Sequence, residues 1–162
     1  MKWFVVFLSM LMPVAALAAE PMEKMGSARL RVMMLSVYDA TLYAPGGVYN
    51  AEEPHALALT YRMNFTRDEI VDRTLQEIRD AQTVSDAQAK TWRAELNRVI
   101  PDVKDGDTIK ATARPGRDLH FTHNGKETGV ITDTTLIAPF MNIWLGPKTN
   151  EPGLRDKLLG KK

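Results

Sequence analysis

The chain contains no cysteine. That excludes disulfides, thiolate metal sites and cysteine nucleophiles together. An excess of charge of either sign is also missing, since 21 basic residues face 20 acidic ones. Counterion release at a nucleic acid therefore has little to act through. Histidine is scarce, with three in 162 residues. His120 and His123, three apart on an expected strand, point to opposite faces and make no metal pair. His55, just after Pro54, is expected in solvent. G-x-S-x-G, H-E-x-x-H and P-loop motifs are all absent. Asp102, Asp105 and Asp107 lack the ligand spacing and closing glutamate of a calcium loop, and read as a turn before a strand. Neither a metal nor a cofactor is expected.

What is there is an ordinary globular composition, 44% hydrophobic and 25% charged. A chain of this length folds as one domain around one core. The one long apolar run is at the N-terminus. Lys2 precedes Trp3–Leu8 and Leu11-Met12, Pro13 follows, and the stretch closes on Ala15-Ala16-Leu17-Ala18-Ala19. A short basic region, an apolar core and an A-x-A end make residues 1–19 a cleavable secretory signal. The run is too short for a membrane anchor. Its removal takes Lys2 with it and leaves basic and acidic side chains in balance. Residues 20–162 are the expected domain, soluble and exported, and a cysteine-free exported chain fits a periplasm.

Along that domain the hydrophobic period changes twice. After a loose start over residues 20–27, apolar residues alternate at Leu30, Val32 and Met34. A second extended run covers Val37–Ala44 and stops at Pro45-Gly46-Gly47, and a third carries Leu57, Leu59, Tyr61 and Met63. Thr66 with Glu69 is a capping box, and Val71, Leu75 and Ile78 follow at helical spacing. Ser85 with Gln88 opens a second helix carrying Ala89, Trp92, Leu96 and Val99, which Pro101 ends. Strands return at Ile109–Ala113 and Leu119–Phe121. Asn124-Gly125, suited to a type I′ turn, leads into Lys126–Ile131. Asp133 caps a helix with Leu136, Ile137, Phe140 and Trp144, with Pro139 inside it or at its start. A last short helix opens near Pro152. The order β-β-β-α-α-β-β-β-α-α predicts an α+β domain with helices on one face of an antiparallel or mixed sheet.

Arg62 is the charged residue that stands out, at the end of an apolar strand beside Tyr61. There a guanidinium can offer a fork to a carboxylate or phenolate. Tyr38 and Tyr43 are aromatics whose hydroxyls can orient a ligand. Trp92 and Trp144 lie on apolar stripes and are expected in the core.

The run Val37-Tyr38-Asp39-Ala40-Thr41-Leu42-Tyr43 resembles the V-Y-x-x-x-L-Y strand of chalcone isomerase-like proteins. The end, Ile143-Trp144-Leu145-Gly146 followed by Pro152, Leu154, Arg155 and Leu158-Leu159-Gly160, resembles the closing segment of their bacterial exported branch. The likeness runs over about residues 26–160. It implies an open-faced β-sandwich, a large antiparallel sheet with helices packed on one face and a ligand cleft between the layers. Enzymes of that family cyclise chalcones with an arginine in an early glycine segment, a lysine on the strand before the helix pair, and a helical tyrosine and asparagine. Here the early segment is Met25-Gly26-Ser27-Ala28, without the arginine. Ile70 stands near the expected tyrosine and Glu77 near the expected asparagine. Arg62 or Tyr61 stands at the basic strand position. Without the polar set that would stabilise a phenolate, ring closure loses its electrostatic support.

Non-catalytic relatives hold fatty acids in the same cleft with an Arg and a Tyr on the carboxylate. The resemblance thus implies a periplasmic binder of a small amphipathic molecule, a fatty acid or aromatic acid, with Arg62, Tyr61, Tyr38 and Tyr43 as ligand-binding residues. The alternatives are an intramolecular lyase of the chalcone isomerase type with a rearranged site, and a structural partner of another envelope protein. The last would expose an apolar patch.

Overall fold

Period-two alternation builds one sheet whose two faces differ in chemistry. In the computed structural model, residues 21–161 are described, and the signal segment expected over residues 1–19 lies outside them. Six strands follow in chain order: β1 Met22–Val32, β2 Leu35–Pro45, β3 His55–Tyr61, β4 Thr108–Arg114, β5 Asp118–His123 and β6 Lys126–Ile131. Each pairs antiparallel with the next, so the sheet order is the chain order. The helices are α1 Arg67–Ala81, α2 Asp86–Val99, α3 Thr134–Leu145 and α4 Pro152–Leu158.

Register fixes what each face carries. Ala40 and Leu42 lie across from Leu59 and Leu57, which in turn lie across from Ile109 and Ala111. Ala111 faces Phe121 on the next strand. All of these are buried, and with Trp92, Leu136, Phe140 and Trp144 from the helices they form one core. Burying each large apolar side chain contributes about 1.5–3 kcal/mol, so this face holds the sandwich together. The opposite face carries Arg29, Asp39, Thr41, Tyr43, Thr60, Lys110, Thr112 and His120.

The helices start where their caps dictate. Thr66 accepts from the Glu69 amide, and the Glu69 carboxylate accepts from the Thr66 amide, completing the capping box. Ser85 and Asp133 cap α2 and α3 in the same way from one side only. Pro139 lies inside α3, among the buried Leu136, Ile137 and Phe140. Gly26 lets α4 lie directly on β1, because a Cβ there would sit 2.3 Å from the Lys157 carbonyl oxygen.

Three expectations need correction. Met34 does not continue the alternating strand of Leu30 and Val32: β1 ends at Val32, and Met33 and Met34 turn the chain with positive φ. The segment after Pro21 is no loose start. Strand β1 begins at Met22, with a register shift between Lys24 and Gly26, because α4 covers it. His55 is not in solvent but 3% exposed. It opens β3 on the helix-covered face, its Nδ1 2.8 Å from the Glu53 carbonyl oxygen and its ring edge-on to Tyr49 at 5.0 Å. Pro54 suggested a loop, but the side-chain direction follows from the pairing with Ala113.

Candidate functional site

The four residues singled out in the sequence fall into two pairs on opposite faces of the sheet. Tyr38 and Tyr61 are register partners on the helix-covered face, with ring centroids 6.0 Å apart in a T-shaped arrangement. Arg62 and Tyr43 are on the other face. Alternation explains the split. Arg62 follows Tyr61 by one residue and Tyr43 follows Tyr38 by five, so each member turns away from its counterpart.

Arg62 is held by a carboxylate. Its Nε and Nη2 donate to Asp39 Oδ2 at 2.8 and 2.5 Å, while Arg29 donates from Nε to Oδ1 at 2.6 Å and from Nη2 to Oδ2 at 3.1 Å. Asp39 is thus gripped by two forks. The Arg29 hydrogen bond first, and then Arg62, hold its carboxyl down to about 2. In this structure the Arg62 guanidinium spends its Nε and one Nη on Asp39. Tyr43 is likewise engaged, with the Lys110 ammonium 5.1 Å from its ring centroid.

On the covered face an aromatic row runs from the sheet into the helices. Phe65 meets Tyr61 edge-on at 5.8 Å, and Phe121, Phe140 and Trp144 continue at 5.4 and 5.3 Å. Trp144 Nε1 donates to Tyr38 Oη at 2.9 Å. Burial pushes the Tyr38 hydroxyl up to about 12, partly opposed by that hydrogen bond. The nearby charges of Glu77 and Glu151 push it the same way, and Arg73 against. The Tyr61 hydroxyl is also pushed up by burial. Both phenols are therefore neutral at physiological pH.

Sequence reasoning missed the charged group above Tyr38. Arg73 pairs with Glu77 one turn along α1. Asn150 Nδ2 donates to Glu77 Oε2 at 2.7 Å and to Asp80 Oδ2 at 2.9 Å. The i, i+4 spacing of Arg73 and Glu77 was the available signal, but only tertiary packing brings Asn150 to it.

Beside this cluster a hollow of about 490 Å³ opens between β1 and α4. Ala28, Leu30 and Leu154 give it an apolar wall, and Arg29, Arg31, Lys157 and Glu151 give it a polar rim. Leu30 is the register partner of Tyr38, so the hollow and the buried phenol share the same edge of the sheet. Among the described residues, Arg31 and Lys157 have no carboxylate within ion-pair distance, while Arg29 is taken by Asp39. The volume is in the range of small-molecule sites, roughly 300–1,000 Å³. No group of three or more metal-ligating side chains converges among the described residues.

No curated protein matches the chain. Among solved structures, a crystal structure of a fatty-acid binding protein from Arabidopsis thaliana is similar, with a TM-score of 0.62 and 14% identity over 88% of this chain and 90% of that one. At that identity the likeness speaks for the fold. A family model described as chalcone isomerase-like matches residues 19–160. With six antiparallel strands, four helices on one face and that match over nearly the whole length, the chain belongs to the chalcone isomerase-like family.

Proposed function

We propose that this protein is a non-catalytic binder of a small amphipathic acid, such as a long-chain fatty acid, and that it works in the periplasm after export. The observation that carries the reading is the hollow between β1 and α4. One wall is apolar, at Ala28, Leu30 and Leu154, and two cations without carboxylate partners among the described residues, Arg31 and Lys157, stand on its rim. That division matches a molecule with a hydrocarbon body and an anionic end. The chain lies along Leu30 and Leu154, and the carboxylate meets Arg31 and Lys157. The fatty-acid binding protein of the same fold supports the ligand class. The segment Lys2–Ala19 supports export.

Catalysis is not favoured by the groups present. A phenol held near 12 is a poor base at neutral pH. The α1 positions nearest it carry Arg73 and Glu77 in a mutual ion pair, and a carboxylate there opposes a developing phenolate.

Native mass spectrometry of the protein purified from its own host tests the reading. A retained acid of defined mass, released on denaturation and taken up again by the stripped protein, is the expected result. Protein that arrives bare and takes up no added fatty acid overturns it.

A further inference from the structure

The β1–β2 hairpin ends in four consecutive apolar residues that no other described residue covers. Val32, Met33, Met34 and Leu35 are 49%, 91%, 94% and 59% exposed. The ladder between β2 and β3 stops at Tyr38–Tyr61, whereas that between β1 and β2 runs on to Val32–Leu35. The tip therefore projects roughly 10 Å beyond the last β2–β3 pair, at about 3.4 Å per residue.

Its turn is made in an unfavourable way. Met33 and Met34 have φ of 47° and 71°, the two positive values a type I′ turn requires. The β5–β6 hairpin of the same chain makes the same two-residue turn with Asn124 and Gly125, at φ of 50° and 83°. Those residues tolerate the left-handed region, and methionine does not. Two strained and almost fully exposed methionines contribute nothing to the fold that Asn-Gly would not do better. Their side chains are long, flexible and apolar, suited to an irregular soft surface.

The charge behind the tip is basic. Arg31 and Arg29 follow it on β1, and Arg62 lies at the adjoining end of β3. The single carboxylate of the hairpin between Arg29 and Asp39 is Asp39 itself, already gripped by Arg29 and Arg62. An apolar point backed by three guanidinium groups and one carboxylate, with Arg31 free of any carboxylate partner among the described residues, matches a bilayer with anionic headgroups: the side chains enter the acyl boundary and Arg31 stays with the phosphates. No described helix is long and apolar enough to cross a membrane.

We propose that the Val32–Leu35 tip is a membrane-docking element that inserts Met33 and Met34 into the surface of an anionic bilayer. The proposal stands on the hairpin and the adjoining end of β3 and does not depend on the ligand reading.

The test uses protein as its host processes it, sedimented with phosphatidylcholine vesicles containing or lacking about one-third phosphatidylglycerol. The double substitution Met33→Asn with Met34→Gly removes the tip and supplies the residues the turn prefers. Burying each methionine is worth about tenfold or more in partition, so binding to anionic vesicles should fall about 100-fold. Binding should also weaken with salt and be weaker on neutral vesicles. The variant should melt at or above the wild-type temperature and bind fatty acid in solution as before. A second readout needs no loss of binding. Because the chain has no cysteine, Met34→Cys can carry a single environment-sensitive fluorophore, whose emission should shift to the blue on anionic vesicles only. Unchanged vesicle binding by the double variant, no binding by the wild type, or a fluorophore that stays in water overturns the proposal. So does a concentration-dependent dimer that disappears in the variant while vesicles are ignored, since the tip would then meet a second copy.

Discussion

Trp144 and Tyr38, 106 residues apart, are joined by a 2.9 Å hydrogen bond that ties α3 to the second strand of the sheet. The indole N–H has one proton to donate, and it is buried with the rest of the 7%-exposed tryptophan. Tyr38→Phe keeps the ring and removes the acceptor. Leaving a buried donor unpaired costs about 1–3 kcal/mol, and urea denaturation should show a loss of that size. Loss of the hydroxyl with no change in midpoint would mean the bond contributes nothing.

Two glycines should respond with opposite sign to the same added methyl. At Gly26 a Cβ meets the backbone oxygens of Lys157 and Leu158 at 2.3 and 2.5 Å. Backbone cannot rotate aside, so Gly26→Ala must lift α4 from β1, at a cost of about 1–3 kcal/mol as in overpacked cores. At Gly153, in the first turn of α4, a Cβ meets nothing within 4 Å. Gly153→Ala should leave stability unchanged or raise it by up to about 1 kcal/mol, through helix propensity. Thermal melts of the two variants check both signs.

Acid should weaken the fold in two windows. His55 is buried, which lowers its affinity for a proton below that of the unfolded chain at 6.5. The unfolded state then binds more protons, so stability is full above about 6.5 and declines as the pH falls below it. Asp39, held down to about 2 first by the Arg29 hydrogen bond and then by Arg62, contributes stability that is full above 3.8 and is lost as the pH falls towards 2. Denaturant midpoints measured from pH 8 to pH 2 should fall through both windows. His55→Gln should flatten the upper one and leave the lower in place.

Most of the fold was legible because hydrophobic period and cap chemistry are local. The Thr66–Glu69 box, the stripe Val71, Leu75 and Ile78, and the Asn124-Gly125 turn all lie where their residue types demand. The site was only partly legible. Alternation alone separates Tyr61 from Arg62, so the two faces could have been told apart from the strand. That Asp39 would take both guanidinium groups depends on strand pairing, which the sequence does not state. The hollow between β1 and α4 needs the close approach at Gly26, and Asn150 reaches Glu77 only after the chain has passed through α2, three strands and α3. The strained Met33-Met34 turn hides in the alternation of Leu30, Val32 and Met34, because methionine carries no turn signal.

Ring closure of a chalcone should not be accelerated. The phenol of Tyr38 is neutral at physiological pH, and Ile70 and Glu77 occupy the α1 positions nearest the family's polar pair. Spectrophotometric assay with naringenin chalcone should match the buffer rate. A rate enhancement of even about 10³, equal to roughly 4 kcal/mol of barrier lowering, would contradict the non-catalytic reading.

Calorimetric titration of a long-chain fatty acid into the processed protein and three variants tests the binding account most directly. Hydrogen bonds to charged groups are worth about 1.5–3 kcal/mol, and rim exposure keeps the effect at the lower end. Arg31→Ala and Lys157→Ala should each weaken binding about tenfold. Arg62→Ala, which removes a partner of Asp39 and no group that lines the hollow, should bind as the wild type does. Saturable binding at one acid per chain with that pattern is the predicted result. No heat of binding in the wild type, or equal affinities in the wild type and the Arg31 and Lys157 variants, would contradict it.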